Sequence, residues 1–225
     1  MMRIRSVALL GASGLVGSEC FKLLSQDPSF EHITVLGRRP WLSDFQSQTP
    51  PSRTGPQCTE HVFNFDNLLE SPHAWMADCL INCLGTTMKK AKTKENFYRV
   101  DYSYPLQIAQ LAPAQGVKSL INISAHGAHA QSRIFYNRVK GELETALNGV
   151  GFDSVTHLRP SLLLGERQES RVAEAMGRKL GALLSFALPL TIKPIPAAQV
   201  AVRVAELVHA PKPGIAILES AQLQP

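Results

Sequence analysis

Apolar and polar positions alternate along this chain in two rhythms. The short runs SVALL, HITVL, EHVFNF, DCLINCLG, KSLINIS and DSVTHLRP are rich in aliphatic and β-branched residues. Strands that are apolar throughout are buried on both faces, as in a parallel sheet. The intervening segments LVGSECFKLL, NFYRVDYSYPLQIAQLA and YNRVKGELETAL carry apolar residues at the three-to-four spacing of one helix face. Strands alternating with amphipathic helices predict an α/β fold, a parallel sheet covered on both sides. The segment WLSDFQSQTPPSRTGPQ, rich in Pro, Ser and Gln, reads as a surface loop between the second and third strands, without a domain boundary.

After Pro160 the rhythm loosens. VAEAMGRKLGALLSF and AAQVAVRVAELVHA read as helices and GIAIL as a last strand. Residues 161–225 suffice for a small substrate-side lobe over the sheet's edge, within a single domain covering 1–225.

Composition narrows the class. With 44% hydrophobic and 18% charged residues the chain is ordinary for a globular domain, and no apolar run approaches the roughly 20 residues of a membrane helix. Arg3 and Arg5 before Val7–Leu10 imitate a signal peptide, but the apolar stretch breaks at Gly11, so a first buried strand is the reading. Four cysteines form no metal pattern. Cys79 and Cys83, four apart on one strand, would have Cα atoms about 13 Å apart, too far for a disulfide. Reduced thiols fit a cytoplasmic protein. A net charge of +5 admits nucleic acid as a partner, but the dense cluster Lys89, Lys90, Lys92 and Lys94 has no interleaved aromatics. Neither nucleic acid nor membrane is expected.

The candidate chemistry begins at GASGLVG, where Gly11, Gly14 and Gly17 lie between a buried strand and a helix. Glycines in that setting let backbone amides approach a pyrophosphate, and the helix N-terminus adds free N–H donors and partial positive charge. No Gly-Lys-Ser/Thr follows, so the loop is not a nucleoside-triphosphate cradle. The second strand ends in Gly37-Arg38-Arg39 rather than in the acidic residue that holds a ribose 2′-hydroxyl. Two guanidinium groups suit a 2′-phosphate, which makes NADP(H) the expected cofactor. Further on, Tyr136 and Lys140 are four apart in a helical stretch and share a face. An ammonium beside a phenol favours the phenolate and makes tyrosine a competent proton donor or acceptor for a carbonyl/alcohol pair. Ser124 ends the strand SLINIS, twelve residues upstream, where its hydroxyl can bond the reacting oxygen.

With these residues in this order, and with Cys83-Leu84-Gly85-Thr86 and Arg159-Pro160, the whole chain resembles the short-chain dehydrogenase/reductase superfamily. GASGLVG, LGRR, LGTT, FYRVDYSYP, YNRVKGELE and RPSLLLGERQESR look most like its atypical branch of Tat-interacting-protein oxidoreductases and their bacterial relatives. The resemblance implies a Rossmann-like, doubly wound parallel sheet with a small C-terminal lobe. It implies that Ser13, Gly14, Leu15 and Val16 surround the pyrophosphate and that Arg38 and Arg39 contact the adenosine phosphate. It places Leu84, Gly85 and Thr86 along the cofactor, Lys140 on the nicotinamide ribose, and Leu158 to Ser161, with Pro160 among them, beside the nicotinamide. Ser124 and Tyr136 would polarise the substrate carbonyl.

The chain departs from the family pattern in three places. Asn64, followed by Phe65, stands where many relatives use Asp for the adenine edge. Asp101 stands at the fourth catalytic position, Asn in many members. The C-terminal lobe is short, leaving less wall to define a substrate. His126 and His129 invite a metal reading, but no carboxylate or thiol pattern accompanies them and no metal is expected. The lysine cluster reads as a solvated face or a flap over an acidic substrate or phosphate, and Arg167, Glu169 and Arg171 as a local ion-pair set holding the lobe. The expected function is reduction of a small carbonyl-type molecule with NADPH. The alternative is an NADP(H)-sensing regulator with a protein partner and little chemistry; oligomeric state is left open.

Overall fold

Val7 and Leu9 face one side of the central sheet and Ala8 and Leu10 the other, all almost fully buried. This is what an apolar first strand achieves when both faces are covered. The computed structural model describes residues 4–48, 54–65, 77–165 and 189–224, to which all structural statements refer. Elements follow in the order β1 (Ser6–Leu10), α1 (Leu15–Leu24), β2 (His32–Gly37), α2 (Leu42–Gln48), β3 (Gln57–Val62) and β4 (Cys79–Asn82). Then come α3 (Met88–Ala91), α4 (Lys94–Tyr98), α5 (Tyr104–Leu111), β5 (Ser119–Ile123), α6 (Phe135–Asn148) and β6 (Ser154–Arg159). The described chain closes with β7 (Leu163–Leu164), β8 (Ile195–Pro196), α7 (Ala197–His209), β9 (Gly214–Glu219) and α8 (Ser220–Leu223).

The main sheet has seven strands in the order β3-β2-β1-β4-β5-β6-β9, every neighbouring pair parallel. This is the Rossmann-like doubly wound arrangement. The chain reverses its direction of travel across the sheet between β1 and β4, so a crevice opens beyond their carboxyl ends, where such folds bind ligands. One face is packed by α1 and α7, through Phe21, Leu24, Val200 and Val204. The other is packed by α5 and α6, through Ile108, Leu143 and Leu147.

Three sequence expectations change in detail. The segment after Pro40 is not all loop: Leu42–Gln48 is helical, and Trp41 and Phe45 set their rings edge-on to Phe21 at 5.3 and 5.2 Å. Its apolar positions needed α1 as a surface. The third strand starts earlier than EHVFNF, at Gln57, and has the alternating exposure of an edge strand paired only with β2. GIAIL does not build the lobe. It pairs with β6 as the seventh strand of the main sheet, and α7 packs beside α1. Among the described residues, the separate structure after Pro160 is the short parallel pair β7–β8. The expected helix VAEAMGRKLGALLSF and the Arg167, Glu169, Arg171 set lie outside the described residues.

A chain of buried polar groups crosses the sheet under the crevice. Leu84 N–H donates to Asn82 Oδ1 at 3.1 Å, Asn82 Nδ2 to Asn122 Oδ1 at 2.8 Å, and Asn122 Nδ2 to His157 Nδ1 at 3.1 Å. His157 Nε2, on the far side of the ring, donates to Asn148 Oδ1 at 2.9 Å. Asn82, Asn122 and His157 are direct neighbours in the strand register. Each group is matched, as burial demands, and the ladder works only with a neutral imidazole. Desolvation pushes His157 down to about 4, against the pull of Glu144 and with the help of Arg159.

A stability prediction follows from the sign of that shift. As pH falls, the unfolded chain protonates this ring near 6.5 and the folded protein only near 4. Its contribution is complete above pH 6.5 and is lost as pH falls through that window, by about 3 kcal/mol. Urea unfolding midpoints taken across the window are expected to fall more steeply in the wild type than in His157→Gln.

Candidate active site

Two of the three glycines from the end of β1 into the first turn of α1 are demanded by the fold itself. Gly11 has φ +85°, and a Cβ on it would lie 2.7 Å from the Leu84 backbone nitrogen. A Cβ on Gly17 would lie 2.2 Å from the Gly11 carbonyl oxygen. The turn therefore seats against the end of β4, and α1 seats against the turn. Gly14 differs: it is exposed, its Cβ would meet the Gly11 carbonyl oxygen only at 3.2 Å, and it caps α1 with no side-chain bond. The first turn of α1 contains no acidic residue and its N-cap makes no side-chain bond, so no side-chain negative charge offsets the partial positive charge of its N–H groups.

Two cavities meet at this turn. The smaller, about 400 Å³, runs from Gly11 and Ser13 past the end of β2 to Arg38, Arg39 and Phe65, with Leu84 as its floor. Both arginines are exposed, and neither pairs with a carboxylate among the described residues. Phe65 is buried, its ring 4.9 Å from that of Tyr104. Asn64 is exposed and is not among the residues lining either cavity. Sequence reasoning missed Glu60. It lines the same cavity but accepts the backbone N–H of Trp41 at 2.8 Å and of Leu42 at 3.2 Å, capping α2. No local pattern announces that cap, because donor and acceptor are 18 to 19 residues apart.

The larger cavity, about 690 Å³, carries the remaining candidates. Gly14, Leu15 and Val16 form its near side, Leu84, Gly85 and Thr86 its floor, and Ser124, Tyr136, Lys140 and Pro160 its far wall. Gly17 is buried behind them. Of the segment 158–161, only Pro160 and Ser161 reach the cavity. Leu158 is core, and Arg159 binds Glu144 through two bonds of 3.0 and 2.6 Å and Glu219 at 2.8 Å. The hydrogen bonds to Glu144, chief among several contacts, hold the Arg159 guanidinium firmly protonated. His126 lines the cavity, whereas His129 Nδ1 accepts the N–H of Gln131 at 3.2 Å, so the two histidines are engaged separately.

Ser124 sits immediately after β5, where its N–H donates to the Leu158 carbonyl at 2.8 Å. Its Oγ is buried and has no hydrogen-bond partner. A buried hydroxyl without a partner costs stability unless a ligand completes it. Tyr136 lies in the first turn of α6, 37% exposed, with its ring 5.6 Å from that of Phe97. Lys140, one turn further, is buried, and its Nζ is 2.8 Å from Asp101 Oδ1. The other Asp101 oxygen accepts the Thr86 N–H at 2.8 Å. Desolvation alone would pull Lys140 down, but Asp101, Tyr136 and Glu144 together raise it, so it is an ammonium ion at neutral pH. Gly85 makes room for this pair: a Cβ there would lie 3.3 Å from Asp101 Oδ1 and 3.4 Å from Lys140 Nζ.

Asp101 reaches Lys140 because its helix is broken. The segment predicted as one helix is α4, a π turn over Arg99–Ser103, then α5. Pro105 has no N–H to return to the carbonyl four residues back, so the helix widens there. The wide turn carries a fully buried Asp101.

Residues 7–187 match the NAD dependent epimerase/dehydratase family. The chain belongs to that family, which is nicotinamide-dinucleotide dependent, and to its Tat-interacting-protein-like branch. Within it, the chain is 36% identical over 179 residues to Protein HTATIP2 of Rattus norvegicus, covering 79% of this chain and 71% of that one. It is also 36% identical over 165 residues to Protein FMP52, mitochondrial, of Candida albicans, covering 73% and 70%. Among solved structures, a short-chain type dehydrogenase/reductase from Mycobacterium ulcerans superposes with a TM-score of 0.71 at 16% identity, over 99% of this chain and 90% of that one. A 3-oxoacyl (acyl-carrier-protein) reductase from Agrobacterium tumefaciens C58 with NADP bound does so at 0.69 and 14% identity, over 96% and 93%. These last two establish the fold alone.

The glycine geometry yields a paired prediction. Gly17→Ala is expected to destabilise the protein by about 3 kcal/mol, since its Cβ meets backbone rather than a flexible side chain. Gly14→Ala costs about 1 kcal/mol or less. Chemical denaturation of the two variants measures the difference.

Proposed function

We propose that the protein is an NADP(H)-dependent oxidoreductase that reduces a small carbonyl-type substrate with Ser124, Tyr136 and Lys140. The observation that carries this reading is the unpartnered buried Oγ of Ser124 in one cavity with the Tyr136 phenol and the buried Lys140 ammonium. The residues present fit a dinucleotide. Gly14 leaves the mouth of α1 open for a diphosphate, and Gly11, Ser13, Leu84 and Phe65 line an adenosine-sized space. Arg38 and Arg39, both unpaired among the described residues, would take a 2′-phosphate through charge-assisted hydrogen bonds. When bound, NADPH supplies the hydride that reduces the carbonyl carbon.

The chain's own residues do the rest. Ser124 donates to the carbonyl oxygen and thereby finds the partner it lacks. Tyr136 delivers its proton to that oxygen. The Lys140 ammonium stabilises the phenolate left behind, and Asp101 keeps Lys140 charged and in place. The cysteines are free, which fits a reducing compartment, and we place the protein in the cytoplasm. A second reading, a dinucleotide-sensing regulator, is favoured by Asp101 itself: a buried carboxylate 2.8 Å from Lys140 offsets the charge that would favour the phenolate.

NADPH oxidation across aldehydes, ketones and quinones separates the two readings. Tyr136→Phe is expected to lower turnover by about a hundred-fold or more while NADPH still binds. Unchanged turnover removes Tyr136 from the mechanism, and silence of the wild type across the panel favours the regulator.

Cofactor choice is tested separately by calorimetry. Replacing Arg38 and Arg39 together by alanine is expected to weaken NADPH binding by about ten-fold or more and to leave NADH binding nearly unchanged. Equal losses for both cofactors would count against 2′-phosphate recognition.

A further inference from the structure

The lysine cluster that the sequence shows between residues 89 and 94 is not a free loop. It is folded into two short helices, each begun by a threonine cap: Thr87 Oγ1 accepts the Lys90 N–H at 3.2 Å and Thr93 Oγ1 the Asn96 N–H at 3.1 Å. Lys92 reverses the chain between them at φ +67°, a conformation that side-chain-bearing residues seldom adopt. Ala91 and Phe97 anchor the pair by packing into a small core with Val139 of α6. Lys94 leans over the Phe135 ring, its Nζ 5.5 Å from the centroid.

Of the four lysines, only Lys90 lines the larger cavity. Asp101 and Lys140 cancel one another at 2.8 Å. His126 stands 3.9 Å from Glu219, on the far rim. Lys90 is exposed and, among the described residues, has no carboxylate within ion-pair distance. Among the described residues the cavity lining therefore carries one uncompensated positive charge, that of Lys90. Leu162 and Ile192, both about half exposed, also line it and offer only apolar surface. A cavity walled by low-dielectric protein focuses such a charge, and Lys89, Lys92 and Lys94 beside it add a field of the same sign.

We propose that Lys90 binds an anionic group on the substrate, a carboxylate or a phosphate, so that the cavity takes an acidic carbonyl compound in preference to a neutral one. This rests on the carbonyl-reductase reading of the cavity. The same chemistry would recognise the cofactor's diphosphate, because Gly14 and Leu15 line this cavity too. The test separates the two sources.

The probes are 4-carboxybenzaldehyde and its methyl ester, which share the reacting aldehyde and differ in one charge. With the full chain and saturating NADPH, kcat/KM for the acid is expected to exceed that for the ester by about ten-fold, and the ratio to fall to about one in Lys90→Gln. Calorimetry of the NADP⁺-loaded protein with 4-carboxybenzyl alcohol supplies a readout without turnover, and the variant is expected to lose about ten-fold in affinity. Equal handling of acid and ester by the wild type overturns the proposal. So does a Lys90→Gln variant whose affinity for NADPH falls as far as its affinity for the acid, because the anion is then the cofactor's diphosphate. Binding of the acidic probe that depends on Lys90, without any NADPH oxidation, keeps the anion site and overturns the reductase reading instead.

Discussion

The site is organised around one buried ion pair. Lys140 Nζ and Asp101 Oδ1 are 2.8 Å apart, and both side chains are buried. Removing one partner of such a pair typically costs about 3–5 kcal/mol, because the other is left buried and uncompensated. The pair also joins three parts of the chain that are far apart in sequence. Lys140 comes from α6, Asp101 from the π turn before α5, and the second Asp101 oxygen holds the loop after β4 through the Thr86 N–H. A change in any of these segments is therefore felt at Tyr136, one helical turn from Lys140.

Two polar networks frame that pair. The ladder from Leu84 through Asn82, Asn122 and His157 to Asn148 fixes the floor of the crevice across three strands. The guanidinium of Arg159 fixes the far wall by gripping Glu144 of α6, one turn beyond Lys140, and Glu219 at the end of β9. Networks of this kind hold side chains in one arrangement because each missing bond in a dry interior is costly. The Ser124 hydroxyl differs: it is buried in the cavity wall with no hydrogen-bond partner. A buried hydroxyl without a partner costs stability unless a ligand completes it.

Much of the fold was legible in the chain because it depends on local rules. Apolar strands and three-to-four periodicity announced a parallel sheet with helices on both faces, the glycine turn and Ser124 could be placed at strand ends, and Tyr136 and Lys140 on one face of a helix. Local reading failed where the deciding partner was distant. Leu42–Gln48 is a helix because Phe21 offers its ring to Trp41 and Phe45 and because Glu60 caps its start. GIAIL pairs with β6 because that edge was open, a fact of topology that no window of sequence contains.

What the sequence by itself determined is the alternation of buried strands and amphipathic helices, with chemistry gathered at strand ends, because periodicity and glycine backbone freedom act over a few residues. Tertiary structure alone decided which glycines serve packing and that Asp101 neutralises Lys140. It also decided that Lys90, of four similar lysines, faces the cavity. Each of these is a matter of distance between residues remote in sequence, and electrostatic and steric energies depend on that distance rather than on spacing along the chain.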